Sequence, residues 1–172
     1  MILEVEIPCY SVFLPGQVSY IRKRCLVEKI PYMRDFMNNR EEYAGWRTDV
    51  VVVRQPIPIP CSKDAADFLF KYIMHYPSLE SIDYNVTDDI YVEAQAKTLL
   101  EVRALWDVAL FLQCDDFKDI MLHLMFRKLD AMPDAEADAF FASEAGQYWN
   151  RESLDYYRYK KLHNKMRPIV LP

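Results

Sequence analysis

The sequence predicts an α/β domain, a small sheet covered by helices, continued by a C-terminal helical extension. Three observations predict it. Leu3, Val5 and Ile7 alternate with Glu4 and Glu6, four β-branched residues follow one another at 50–53, and apolar residues recur at helical spacing through much of the chain after Ser62. The length of 172 residues, with 52% hydrophobic and 27% charged side chains, suits one compact domain or a domain with an appendage. Three Gly against ten Pro, twelve Tyr and nine Phe describe a stiff, aromatic-rich chain, unlike the polar composition that leaves chains disordered.

Taken in order, residues 2–7 read as a strand with one wet face, ended by Pro8, and residues 10–14 as a second, followed by a Pro15-Gly16 turn signal. The path from Gln17 to Arg24 is ambiguous. Leu26, Ile30, Met33 and Met37 stand at helical spacing across Pro31, so a helix is expected to start near that proline. Residues 38–49 read as a polar loop and 50–53 as a buried strand, which Pro56, Pro58 and Pro60 forbid from continuing as a central one. Ser62 is a good N-cap for a helix with Ala65, Phe68, Leu69 and Tyr72 on one face, and Pro77 closes it. The acidic stretch 78–97 has few aliphatics and no period, and is expected to be a long mobile loop. Leu105, Val108, Ala109 and Leu112 form a clean helical stripe, and Cys114-Asp115-Asp116 offers a break and a capping acid.

The helix expected at 117–129 carries two stripes, Phe117, Ile120, Met121, Leu124 and Leu122, Met125, Phe126, Leu129, and must be covered on most sides. Pro133 starts a short helix with Ala137, Phe140 and Phe141 inward, and residues 148–167 are helix-compatible, aromatic and basic at their end.

A formal charge of −5 disfavours nucleic acid as a general partner, because phosphate binding needs a basic surface. Arg158, Lys160, Lys161, His163, Lys165 and Arg167 form a local basic run that reads first as a solvated helix face, although Tyr156, Tyr157 and Tyr159 among them would also suit base stacking. No secretory signal is expected from MILEVEIPCYSVFL, and no apolar run approaches the ~18 residues of a membrane span. Cys9, Cys25, Cys61 and Cys114 form no CxxC pair and read as reduced, mostly buried thiols of a cytoplasmic or nuclear protein. His75, His123 and His163 lie far apart, and Ser62, Ser143 and Ser153 lack a nucleophile-elbow setting, so neither a metal, a cofactor nor a catalytic apparatus is expected.

The stretch LWDVALFLQCDDFKDI, residues 105–120, resembles without gaps the signature of the Skp family, which reads roughly L-I-L-A-A-N-Y-L-D-I-K-G-L-L-D; Leu105, Ala109, Leu112 and Asp119 match directly. Upstream, IPIPCSKDAADFLFKYIMHYP resembles the family's V-P-L-P-N-V and the helix after it. Downstream, MPDAEADAFFA resembles its T-P-E-E-I-R-K-T-F-N stretch. The matches follow the family order over nearly the whole chain. The resemblance implies a BTB/POZ-like core at residues 1–130 and a partner-binding helical extension at 131–172.

It also implies a non-enzymatic adaptor that links an F-box receptor to a cullin ubiquitin ligase. The implied receptor surface is Leu129, Met132, Pro133, Ala137, Phe140 and Phe141, extended by Tyr148 and Trp149; the alternative is that Phe140 and Phe141 only cap the core. The implied cullin-facing pair is Leu110-Phe111, where the family has Asn-Tyr, and this departure implies weakened cullin contact. A Skp-like scaffold of a chromosomal or RNA-bound complex, without cullin, is the second reading.

Overall fold

The computed structural model describes residues 3–75 and 92–143. It is mixed α/β: strands β1 (Val5–Ser11) and β2 (Val18–Ile21), helices α1 (Arg24–Lys29) and α2 (Pro31–Asn38), strands β3 (Val51–Val52) and β4 (Ile57–Ile59), then α3 (Lys63–Tyr72), α4 (Val92–Gln95), α5 (Leu99–Phe111), α6 (Asp115–Ala131) and α7 (Asp134–Ala142). The chain divides into two compact units, Met1–His123 and Leu124–Pro172, with the boundary inside α6.

In the first unit β1 is the central strand. It pairs antiparallel with β2 along one edge and parallel with β3 and then β4 along the other. Val5, Ile7, Cys9 and Ile21 turn inward and are at most 1% exposed, so the expected alternation holds. Its bounds do not. β1 runs through Pro8 to Ser11, and the second strand is 18–21 rather than 10–14.

The ladder explains why Pro8 is tolerated. Backbone N–H groups alternate between the two edges, and Val12 N–H donates to Ile59 at 3.1 Å, so the missing donor of Pro8 falls on the same β3/β4 side. There the neighbouring chain bulges: from Val5 to Cys9 β1 advances four positions while its partner advances six, from Val51 to Ile57. The proline sits where the register of this ladder is broken. Pro15-Gly16 makes the expected turn, with Gln17 N–H donating to Leu14 at 3.3 Å and Gly16 at φ 88°, the left-handed geometry that favours glycine in this position.

Pro56, Pro58 and Pro60 flank and interrupt an edge strand, β4, and no central strand continues through them, as expected. Because Ile59 faces β1, the three prolines share the opposite parity, and their missing donors point away from the sheet. Residues 50–53 are a strand buried on one side only: Val51–Val52 pair with β1 and the buried Val53 donates its N–H to Glu6 at 2.8 Å, but Val50 and Val52 are 63% and 52% exposed.

The helix expected near Pro31 is two helices, split at Ile30, with Pro31 in the first turn of α2. Ser62 caps α3 as expected, its Oγ accepting from Ala65 N–H at 3.2 Å. The expected loop at 78–97 lies outside the described residues up to Tyr91, but its end is ordered as α4, where Ala94 is fully buried. Thr98 and Glu101 then form a reciprocal capping box on α5.

The α5 stripe Leu105, Val108, Ala109 and Leu112 is buried as expected. Its C-terminus closes in a Schellman motif, with Cys114 N–H on Ala109 at 2.9 Å, Gln113 N–H on Leu110 at 3.2 Å, and Gln113 at φ 60°. Asp115 and Asp116 then open α6. On α6 Phe117, Ile120, Met121, Leu124, Met125, Phe126 and Leu129 are buried and Leu122 is half-buried, so both stripes are covered. In the second unit Pro133 caps α7. Ala137 is buried, whereas Phe140 and Phe141 are half-buried rather than fully inward.

Candidate partner surfaces

α2 has two working faces. Met33 and Met37 point into the core and are fully buried, while Tyr32 and Phe36, one turn apart on another face, remain half-exposed. Tyr32 is tied to the end of α5 twice, by its N–H donating to Leu112 at 3.3 Å and by its ring lying 4.8 Å from that of Phe111. Phe36 stacks on Tyr43 at 5.9 Å, and the Arg40 guanidinium lies over the Phe36 ring at 4.3 Å. Phe111, Tyr32, Phe36 and Tyr43 thus form one half-exposed aromatic row, and Leu110, 49% exposed, lies at its α5 end.

The segment holding Tyr43 is not a free loop. Glu41–Tyr43 is a 3-10 turn, and Trp46 just after it is 1% exposed. The Trp46 indole N–H donates to Asn38 Oδ1 at 3.1 Å, and its carbonyl accepts from Arg24 Nε at 3.0 Å. This anchor places Arg40, Glu42 and Tyr43 opposite the outer edge of β3 and β4. Between them runs an open groove of about 740 Å³ lined by Tyr32, Phe36, Arg40, Glu42, Tyr43 and the chain from Val52 to Pro58. Burial and the hydrogen bond with Glu42 raise the Tyr43 hydroxyl above its ordinary pKa, against the opposing pull of Arg40 and Arg54.

The structure therefore brings Phe111 into a surface that the sequence showed only in part, with Leu110 exposed next to it on α5. Tyr32, Phe36 and Tyr43 were missed. The available signal was the i, i+4 spacing of Tyr32 and Phe36, overshadowed by the adjacent Met33–Met37 stripe.

In the second unit, Leu129 and Ala137 are 0% and 2% exposed, so the receptor surface expected of them is buried within this chain. Met132, Phe140 and Phe141 are half-buried and Pro133 is exposed, so these four keep some solvent-facing surface. The two phenylalanine rings meet edge to face at 5.7 Å. Tyr148, Trp149 and the basic run 158–167 lie outside the described residues.

Chemistry at the remaining titratable groups is subdued. All four cysteines are free; Cys9, Cys61 and Cys114 are buried, and burial pushes each thiol up to about 12, far from the thiolate that a nucleophile requires. Burial also raises the Asp107 carboxyl, opposed by Arg103 Nε at 3.2 Å. Among the described residues no three His, Cys, Asp or Glu side chains group to hold a metal, and no helix is long and apolar enough to cross a membrane. His75 ends the short turn after α3, and His123 is half-buried on α6. No protein-family model matches the chain, and no curated protein or solved structure matches it.

Proposed function

We propose that this chain is a non-enzymatic adaptor of the Skp type, with a BTB/POZ-like core, that joins an F-box receptor to a cullin-RING ubiquitin ligase in the cytoplasm or nucleus. The observation that carries the reading is the aromatic row on the first unit. It continues from Leu110-Phe111, the pair to which the sequence resemblance assigns the cullin contact, onto Tyr32, Phe36 and Tyr43, and so widens two residues into a surface. Half-exposed aromatic side chains held by a rigid helix are the residue type that anchors protein partners. A hairpin, a helix pair, a parallel return strand and further helices also agree with the small helix-covered sheet expected of the fold. The α6–α7 corner, with Met132, Pro133, Phe140 and Phe141 at its surface, is the receptor side of the proposal.

Affinity purification of the tagged chain, followed by partner identification, tests this. Recovery of a cullin together with F-box proteins is the expected result. A stable complex without cullin would instead establish the second reading, a Skp-like scaffold of another assembly. One feature favours that reading: Leu110 presents 49% of its apolar surface where the family signature has a hydrogen-bonding Asn.

A further inference from the structure

The two edges of the sheet differ in kind. Pro56, Pro58 and Pro60 occupy the outward parity of β4, so that edge offers carbonyls without N–H donors, and an added strand would lack half its ladder. The edge along β2 has no such block. Ser11 N–H donates to Gln17 at 3.1 Å, and Cys9 and Ile7 stand opposite Ser19 and Ile21, so the odd-numbered residues of this stretch bond to β1. Val18 and Tyr20 therefore direct their N–H and C=O groups away from the sheet, where no other strand among the described residues meets them.

Apolar surface collects on the same hairpin. Tyr10, Val12, Phe13, Leu14 and Tyr20 are exposed, from 38% at Tyr10 to 66% at Phe13. Edge strands are usually guarded by a proline, a bulge or a charged side chain, and Val18–Ile21 contains none of these. An unguarded edge beside apolar side chains selects an added strand as its occupant.

The edge is complementary to itself. A two-fold axis through Ser19 sets Val18 of one copy opposite Tyr20 of the other, and the reverse, so each outward N–H and C=O of β2 gains a partner. The cross-strand pairs on the outer face are then aromatic against β-branched, a combination that stabilises sheets. Ser19, 1% exposed and turned toward the Lys63 carbonyl at 3.5 Å, is small enough for two strands to approach closely at the axis. Arg22 of each copy falls opposite Gly16 of the other, where a Cβ would meet nothing within 4 Å. The two Arg22 side chains are separated by the 16–22 span of one strand, about 20 Å at ~3.4 Å per residue and beyond the ~10 Å screening length of 0.1 M salt. Like charges do not face each other across this axis.

We infer that two copies of this chain pair antiparallel along β2 about this axis, joining their sheets into one. None of the residues involved belongs to the aromatic row or to the α6–α7 corner, so the pairing stands independently of the adaptor reading. A short strand pair covers less than the ~800 Å² per partner of a stable interface, so the dimer forms and dissociates with concentration.

Sedimentation velocity on the full chain tests this at about 5 µM and about 300 µM, a range that brackets a weak dimer. The unaltered protein is expected to be a monomer at the lower concentration and to approach twice the monomer mass at the higher. Hydrogen exchange at the Val18 and Tyr20 amides should slow at the higher concentration alone. Tyr20→Lys, which keeps the backbone and places a charge on the edge, should weaken association about tenfold or more, and Tyr20→Pro, which removes an outward N–H, should abolish it. Thermal melts at the lower concentration show that each variant is folded; if Tyr20→Pro is not, Tyr20→Lys decides. A monomer at both concentrations overturns the pairing, and so does a dimer that persists undiminished in Tyr20→Lys or forms without protecting the two amides.

Discussion

Replacing Trp46 tests whether the segment between α2 and β3 is the packed anchor described above. Trp46→Ala removes a side chain that is 1% exposed, and deletions of buried aromatic side chains cost about 3–5 kcal/mol. Trp46→Phe separates packing from the polar contact. The indole N–H to Asn38 Oδ1, at 3.1 Å, is lost, but that oxygen also accepts from Arg47 at 3.0 Å and is not left unsatisfied. The phenylalanine variant should therefore lose only about 1–2 kcal/mol, one net hydrogen bond plus the smaller ring. The backbone contacts of residue 46, its N–H on Tyr43 at 2.9 Å and its carbonyl from Arg24 at 3.0 Å, are open to both variants. Urea denaturation with linear extrapolation measures the two losses, which are large fractions of the ~5–15 kcal/mol that stabilises ordinary domains. A loss below about 1 kcal/mol in Trp46→Ala would refute the packed anchor, and with it the placement of Tyr43 and Arg40 along the groove.

Five further outcomes follow from particular residues. Leu110→Asn should tighten binding to a cullin N-terminal domain about fivefold, the equivalent of one hydrogen bond of ~1 kcal/mol, and titration showing no gain would remove the amide argument. A chain ending at Ala131 lacks Met132, Pro133, Phe140 and Phe141; it should keep a β-containing circular dichroism signal and lose F-box binding in a pull-down, whereas retained binding would assign the receptor surface to residues before Met132. In the folded protein only Cys25 should react with an aromatic disulfide reagent at pH 8, and all four thiols after unfolding. Because burial raises Cys9, Cys61 and Cys114 from 9.0 to about 12, the folded state holds their protons longer; each contributes stability that is complete below pH 9 and is lost between about 9 and 12, at ~1.4 kcal/mol per pH unit, so Cys9→Ala should flatten the alkaline decline in melting experiments. Gln113→Gly relieves a left-handed residue at φ 60° and should raise stability by about 1 kcal/mol; a lower melting temperature would mean that the Gln side chain matters more than the backbone.

The period was readable in the sequence for the longer elements with one buried face. The stripes of α3, α5 and α6 and the alternation of β1 reflect burial, and burial acts on each residue locally. The errors arose where pairing decides. Pro8 reads as a strand breaker because its missing N–H is visible in the sequence, whereas the bulge opposite it is not. Pro56, Pro58 and Pro60 correctly bar a central strand, but the short edge strand between them becomes visible only through the parity of β4, which turns their nitrogens outward. Trp46 lies in a polar stretch with no period, and only the fold reveals that Asn38 and Arg24 hold it. The candidate site was legible as two residues, Leu110 and Phe111. The rest is assembled by the contact of α2 with the end of α5, which no local pattern encodes.

The eight residues of α2 reconcile these two demands, folding and recognition, within one helix. Met33 and Met37 are fully buried and tie the helix to the core with flexible thioether side chains that fill irregular space. Tyr32 and Phe36, displaced by one position, inherit the same rigid backbone but face the groove, so their rings are ordered before any partner arrives. Aromatic side chains have few torsions to freeze, and the contacts to Phe111, Tyr43 and Arg40 freeze some of those in advance. A surface built this way loses little entropy on binding. The flanking strand edge is blocked by proline against indiscriminate pairing.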